Sequence, residues 1–159
     1  MSNSRHGIRF LVSTWLPVLI GILIIVGEST EAMGANHTSG PLRAIYEAIF
    51  GHVSDWDWGG IHHSIRKTGH FLGYGFIALA WLRAWRRTLP KAGFFTDALL
   101  ALLGTALIAS ADEFHQAFLP NRTSSIWDVL LDCSGAVALQ VIAYLLLLIR
   151  RPKALARAA

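Results

Sequence analysis

The sequence predicts an all-α membrane protein: four transmembrane helices in a bundle, plus a short amphipathic interfacial helix in the first outer loop. Three observations predict it. The chain has 159 residues, 53% of them apolar and only 15% charged, which is too apolar for a soluble domain of that length. The apolar residues gather in long runs, and the lysines and arginines stand at the ends of those runs. The net charge of +4 at pH 7 therefore reads as membrane-flanking charge, and no nucleic-acid partner is expected. The single cysteine, Cys133, closes no intramolecular bridge and builds no thiolate metal site.

Helix one is expected over about 8–27. The run from Phe10 to Val26 carries no charge, and with its flanks it reaches the roughly 20 residues that cross about 30 Å of hydrocarbon. It exceeds the apolar core of a signal peptide and no clear A-x-A site follows Glu28, so a retained helix is expected. In the outer loop, Leu42, Ile45, Tyr46, Ile49, Phe50 and Val53 fall at i, i+3, i+4, i+7, i+8 and i+11 behind Pro41. That stripe, with Arg43 and Glu47 on the other face, predicts the interfacial helix over about 41–53, followed by Trp56 and Trp58 as headgroup anchors. The remaining spans are expected over about 62–85, 95–118 and 128–149, so that residues 1–159 form a single domain, with a frayed tail after Pro152.

Charge sets the orientation. On that threading Arg5, Arg9, Arg83, Arg86, Arg87, Lys91, Arg150, Arg151, Lys153 and Arg157 lie on one side, and only Arg43, Arg66, Lys67 and Arg122 on the other. The cation-rich side is expected in the cytoplasm together with both termini. Every acid except Asp97 then falls on the outer side.

Three of the expected spans carry residues that are costly at membrane depth. Counting about 1.5 Å per residue from the cytoplasmic ends, His70 lies roughly 22 Å up and Lys67 roughly 27 Å. Asp112, Glu113 and Asp132 lie at roughly 25–27 Å, and Gln116 and Asp128 at roughly 31 Å. At about 100° per residue, Lys67, His70 and Tyr74 share one seam, Asp112, Glu113 and Gln116 a second, and Asp128 and Asp132 a third. Exposure of these seams to lipid is unfavourable, so they are expected to converge. Gly69 and Gly73 form a small-xxx-small pair that would let helices approach, with Gly75, Ser134, Gly135 and Ala138 nearby.

These same residues carry a resemblance. Arg66-Lys67-Thr68-Gly69-His70-Phe71-Leu72-Gly73-Tyr74 resembles the R-K-x-x-H-x-x-x-Y segment of VanZ-like membrane proteins. Asp112-Glu113-Phe114-His115-Gln116 is similar to their D-E-x-x-Q. Pro120-Asn121-Arg122, then Asp128, Asp132 and Gly135, is similar to their P-x-R followed by D-x-x-x-D/N-x-x-G, with Asn121 where glycine is common. The likeness covers about residues 61–149. It implies a bacterial multi-pass membrane protein of the cell envelope, from a family whose namesake is associated with resistance to the glycopeptide teicoplanin, and it implies no catalytic mechanism.

From the residues themselves, several readings stay open. Arg66, Lys67 and Arg122 against Asp112, Glu113, Asp128 and Asp132 would make a buried structural network. As a site, Arg66, Lys67, Tyr74, Gln116, Arg122, Asp128 and Asp132 would bind an anionic envelope lipid, a peptidoglycan precursor or a glycopeptide, since guanidinium forks suit phosphate and carboxylate. His70, Asp112 and Glu113 are the candidate acid and base if a bond is broken. Carboxylates and imidazoles also suit divalent ions, but no metal-binding signature is present, and no metal or cofactor is expected. The bilayer itself is the other expected partner.

Overall fold

The computed structural model describes residues 2–120 and 122–158, with side chains from His6 to Arg150; Asn121, part of the expected P-x-R turn, lies outside the described residues. The elements are α1 (Ser2–Glu28), a 3-10 turn (Glu31–Met33), α2 (Ala35–Phe50), α3 (Asp55–Thr88), α4 (Phe94–Gln116) and α5 (Ile126–Ala158).

The expectation of four spans does not hold. Among the described residues three helical stretches are long and apolar enough to cross a membrane: His6–Glu28, Phe94–Gln116 and Ile126–Arg150. The segment 62–85 lies inside α3, and α3 fails on composition because Arg66, Lys67 and several histidines occupy one half and Arg83, Arg86 and Arg87 the other. Its polarity follows from its place in the bundle. α1, α4 and α5 all pack along α3, so much of its surface meets protein instead of surroundings. The core about Tyr74, Ile77, Ile25 and Ala109 lies on this axis, and small fully buried residues, Ala78, Ala101 and Ala136 among them, keep the helices close. The outward faces of α1, α4 and α5 carry exposed leucines such as Leu23, Leu107 and Leu145, the reverse of a soluble bundle.

α3 begins earlier than the apolar pattern suggests. Ser54 caps it, its hydroxyl accepting from the Asp57 amide at 3.1 Å and donating to the Asp57 carboxylate at 2.7 Å, and Asp55 and Asp57 sit in the first turn, where the helix dipole favours acids. Trp56 and Trp58 therefore belong to α3, and only Trp56, 91% exposed, stands free as an anchor. α2 likewise begins at Ala35, so Pro41 lies within the helix. Gly51 ends α2 at φ +87°, a conformation that favours glycine. Arg43 ties this turn to α3, donating to Glu47 (3.1 Å), Asp55 (2.6 Å) and the Val53 carbonyl (2.7 Å). Ile45, Ile49 and Phe50 stay exposed on the other side. The segment after Pro152, expected to fray, continues α5.

Candidate functional site

Two glycines bring the polar seams of α3 and α5 together. A Cβ on Gly135 would lie 2.0 Å from the Phe71 carbonyl oxygen, and one on Gly75 would lie 3.0 Å from the Gly135 carbonyl oxygen, so α5 rests directly on the α3 backbone. Gly69 and Gly73, the small-xxx-small pair of the sequence, have nothing within 4 Å of the corresponding position and are not the contact. Asp128 and Asp132 precede Gly135 by two turns and one, and the close approach lays them against Lys67 and His70.

Lys67 pairs with Asp128. His70 Nδ1 lies 3.6 Å from Asp132 Oδ1, beyond hydrogen-bond distance, so that contact is Coulombic when the imidazole is protonated. The His70 ring runs nearly parallel to that of Tyr74, with centroids 6.1 Å apart. The Tyr74 hydroxyl donates to Asp112 Oδ2 at 2.9 Å, and the Ser125 amide donates to Glu113 Oε2 at 2.8 Å. Asp112, Glu113, Gln116, Tyr74 and Asp132 are all buried, Asp132 completely. Asp112 Oδ1, Glu113 Oε1 and both Asp132 oxygens have no hydrogen-bond partner among the described residues.

In front of these acids is a cavity of about 290 Å³. Its wall includes Arg66, Lys67, His70, Gln116, Arg122 and Asp128 from the expected site. Asp112, Glu113, Asp132 and Tyr74 do not line it. The structure thus sorts the predicted residues into a mainly cationic wall and an acidic layer behind it. The wall also holds Ala35, Gly59, Thr123 and two ionisable residues outside the expected site, His62 and His63. A signal for His63 existed, because His63, Lys67, His70 and Tyr74 fall at i, i+4, i+7 and i+11, one face of α3; His62 lies off that series.

The outer segment closes one side. Arg122 Nη2 donates to the carbonyls of Glu28 (2.6 Å) and Thr30 (2.7 Å), and Arg66 Nη1 to the Met33 carbonyl (2.9 Å) and the Thr38 hydroxyl (3.3 Å). His62 Nε2 meets the same Thr38 hydroxyl at 3.2 Å. His115 turns to Ser29, 2.9 Å away, and fastens the end of α1 to α4. Burial of His62, and then the nearby Arg66 and His63 charges, hold its imidazole below the usual range. Among the described residues no group of three or more His, Cys, Asp or Glu is arranged to hold a metal ion.

A family model described as VanZ/LLP1 matches residues 14–148. Neither the comparison with curated proteins nor that with solved structures found a match. The matched span holds all of the wall and all of the acidic layer, and the chain belongs to the VanZ/LLP1 family of multi-pass membrane proteins.

Proposed function

We propose that this VanZ/LLP1 protein binds an anionic cell-envelope molecule (a lipid headgroup, a peptidoglycan precursor or a glycopeptide) in the cavity between α3, α4 and α5. One observation carries the reading: the wall presents Arg66, Lys67 and Arg122 with three histidines against a single carboxylate, Asp128, which Lys67 already engages. Three fixed cations less one carboxylate leave two positive charges on the wall of a half-open polar space, which favours an anion. A smaller cavity of about 140 Å³ shares Arg66, His70 and Arg122 with it and is flanked by Met33, Leu42 and Ile65, so a headgroup on an acyl or prenyl chain has an apolar side to lie against.

Orientation supports an extracytoplasmic site. Arg9, Arg83, Arg86, Arg87, Lys91 and Arg150 gather at the opposite end of the bundle, which the positive-inside rule assigns to the cytoplasm, together with the start of α1 and the charged end of α5.

The test is titration of the detergent-purified protein with a polyprenyl diphosphate and, separately, with teicoplanin, followed by native mass spectrometry. At least one should bind, binding should weaken with added salt, and Lys67→Ala should reduce it about tenfold or more, the equivalent of about 1.4 kcal/mol. Undiminished binding in folded Lys67→Ala and Arg122→Ala would refute the reading. The link to glycopeptide resistance is a separate question, answered by teicoplanin susceptibility of cells with and without the protein.

Acid–base chemistry on a lipid-linked substrate is the second reading, and one observation favours it: His70 reaches the cavity with the enclosed Asp132 behind it. In that reading His70 alone of the three candidate acid–base residues can touch substrate, since Asp112 and Glu113 stand behind the wall. Release of inorganic phosphate from the polyprenyl diphosphate, lost in His70→Ala while binding persists, is the result it requires.

A further inference from the structure

We propose that the groove between α3 and α5 at the arginine-rich end, remote from the cavity above, holds one anionic phospholipid of the adjoining leaflet. The groove encloses about 420 Å³. Leu79, Leu82, Leu146 and Leu147 form its apolar wall. Phe94 of α4 and Ala143 also line it, and Arg83, Arg86 and Arg87, at i, i+3 and i+4 on α3, with Arg150 across on α5, add positive charge. An apolar trough carrying guanidinium groups matches the two parts of an acidic lipid, an acyl chain and a phosphodiester.

The charge is not neutralised from within the protein. None of the four arginines pairs with a carboxylate among the described residues, and Asp97, the acid of this end, is 2% exposed and does not line the groove. Arg83 donates to the backbone carbonyls of Ser13 (3.2 Å) and Thr14 (3.3 Å). Arg87 meets the Ser13 hydroxyl at 3.5 Å and lies over the Phe10 ring, while Arg86 lies over the Phe94 ring. The guanidinium groups of Arg86 and Arg150 make no hydrogen bond to any described residue. The carboxyl-terminal dipole of α3 offsets only about half a charge. α5 runs on to Ala158, so Arg150 is not at its end.

Four arginines at a membrane boundary would also arise from orientation alone. That origin gives diffuse attraction without a stoichiometry, and the groove gives a single saturable lipid. Native mass spectrometry of the purified chain, titrated with phosphatidylglycerol and with phosphatidylcholine, separates them. One phosphatidylglycerol per chain is expected, held at least tenfold more tightly than phosphatidylcholine. Arg86→Gln with Arg150→Gln should remove that preference. Leu147→Trp, which fills the trough and leaves every arginine in place, should weaken phosphatidylglycerol binding as well. Arg9→Gln with Lys91→Gln removes the same charge outside the groove and should leave binding intact, as should Lys67→Ala at the other end. Equal retention of the neutral lipid, equal loss in the charge-matched control, loss in Lys67→Ala, or full competition by inorganic phosphate would each overturn the assignment.

Discussion

Alanine at position 135 is expected to cost at least about 3 kcal/mol of bundle stability, the upper end of what overpacking normally costs. The added methyl would sit 2.0 Å from the Phe71 carbonyl oxygen and 2.8 Å from its carbon, where ordinary contacts begin at 3.4 Å. Backbone cannot rotate aside as a side chain can, so α5 must retreat from α3 by more than about 1 Å. That retreat would draw Asp128 and Asp132 away from Lys67 and His70, so the loss should extend to ligand binding. Gly75→Ala should be milder, because its nearest obstacle is the Leu139 side chain, 2.7 Å away. Gly69→Ala and Gly73→Ala meet nothing within 4 Å and should be neutral or slightly stabilising, as alanine is the better helix former. Thermal unfolding in detergent, followed by circular dichroism, ranks the four. A Gly135→Ala protein as stable as the parent would mean that α3 and α5 meet through other faces.

The ranking also marks what sequence can and cannot express. The common depth of Lys67, His70, Asp112, Asp128 and Asp132 was legible because helical rise is constant, and the family motif lay in the same residues. Which glycines touch was not legible. Gly69 and Gly75 differ by about 240° around α3, and only the rotation of the helix in the bundle decides which faces α5. The number of apolar spans was misread for a related reason. α3 is the shared partner of the three apolar helices, and a helix surrounded by protein need not be apolar along its length. The separation of cationic wall from acidic layer depends on the third dimension too, because Asp112 and Gln116 share a seam on α4 and yet only Gln116 reaches the cavity. His62 and His63 already fell inside the expected helix over 62–85, and what the sequence could not give was which of its faces meets the cavity.

The second large effect is expected at His70. Its Nδ1 is the nearest basic group shown to face Asp132, at 3.6 Å, and Asp132 is fully enclosed with neither oxygen hydrogen-bonded to a described residue. With the imidazole protonated, His70→Ala removes the charge that faces this acid, a change that costs up to about 3–5 kcal/mol for a buried pair. Replacing both partners by apolar groups removes the orphan, so His70→Phe with Asp132→Leu should recover most of the lost stability, the new ring lying against Tyr74 as the imidazole does. Binding should not recover with it. His70 is a cavity-wall residue as well as the partner of Asp132, and the double variant leaves an apolar ring where an anion would meet an imidazole. Unfolding and polyprenyl diphosphate binding measured on the same preparations decide the matter. Stability regained with binding still down about tenfold is the outcome of a site. Stability and binding regained together would make the pair a packing device, with anion recognition left to Arg66, Lys67 and Arg122 alone.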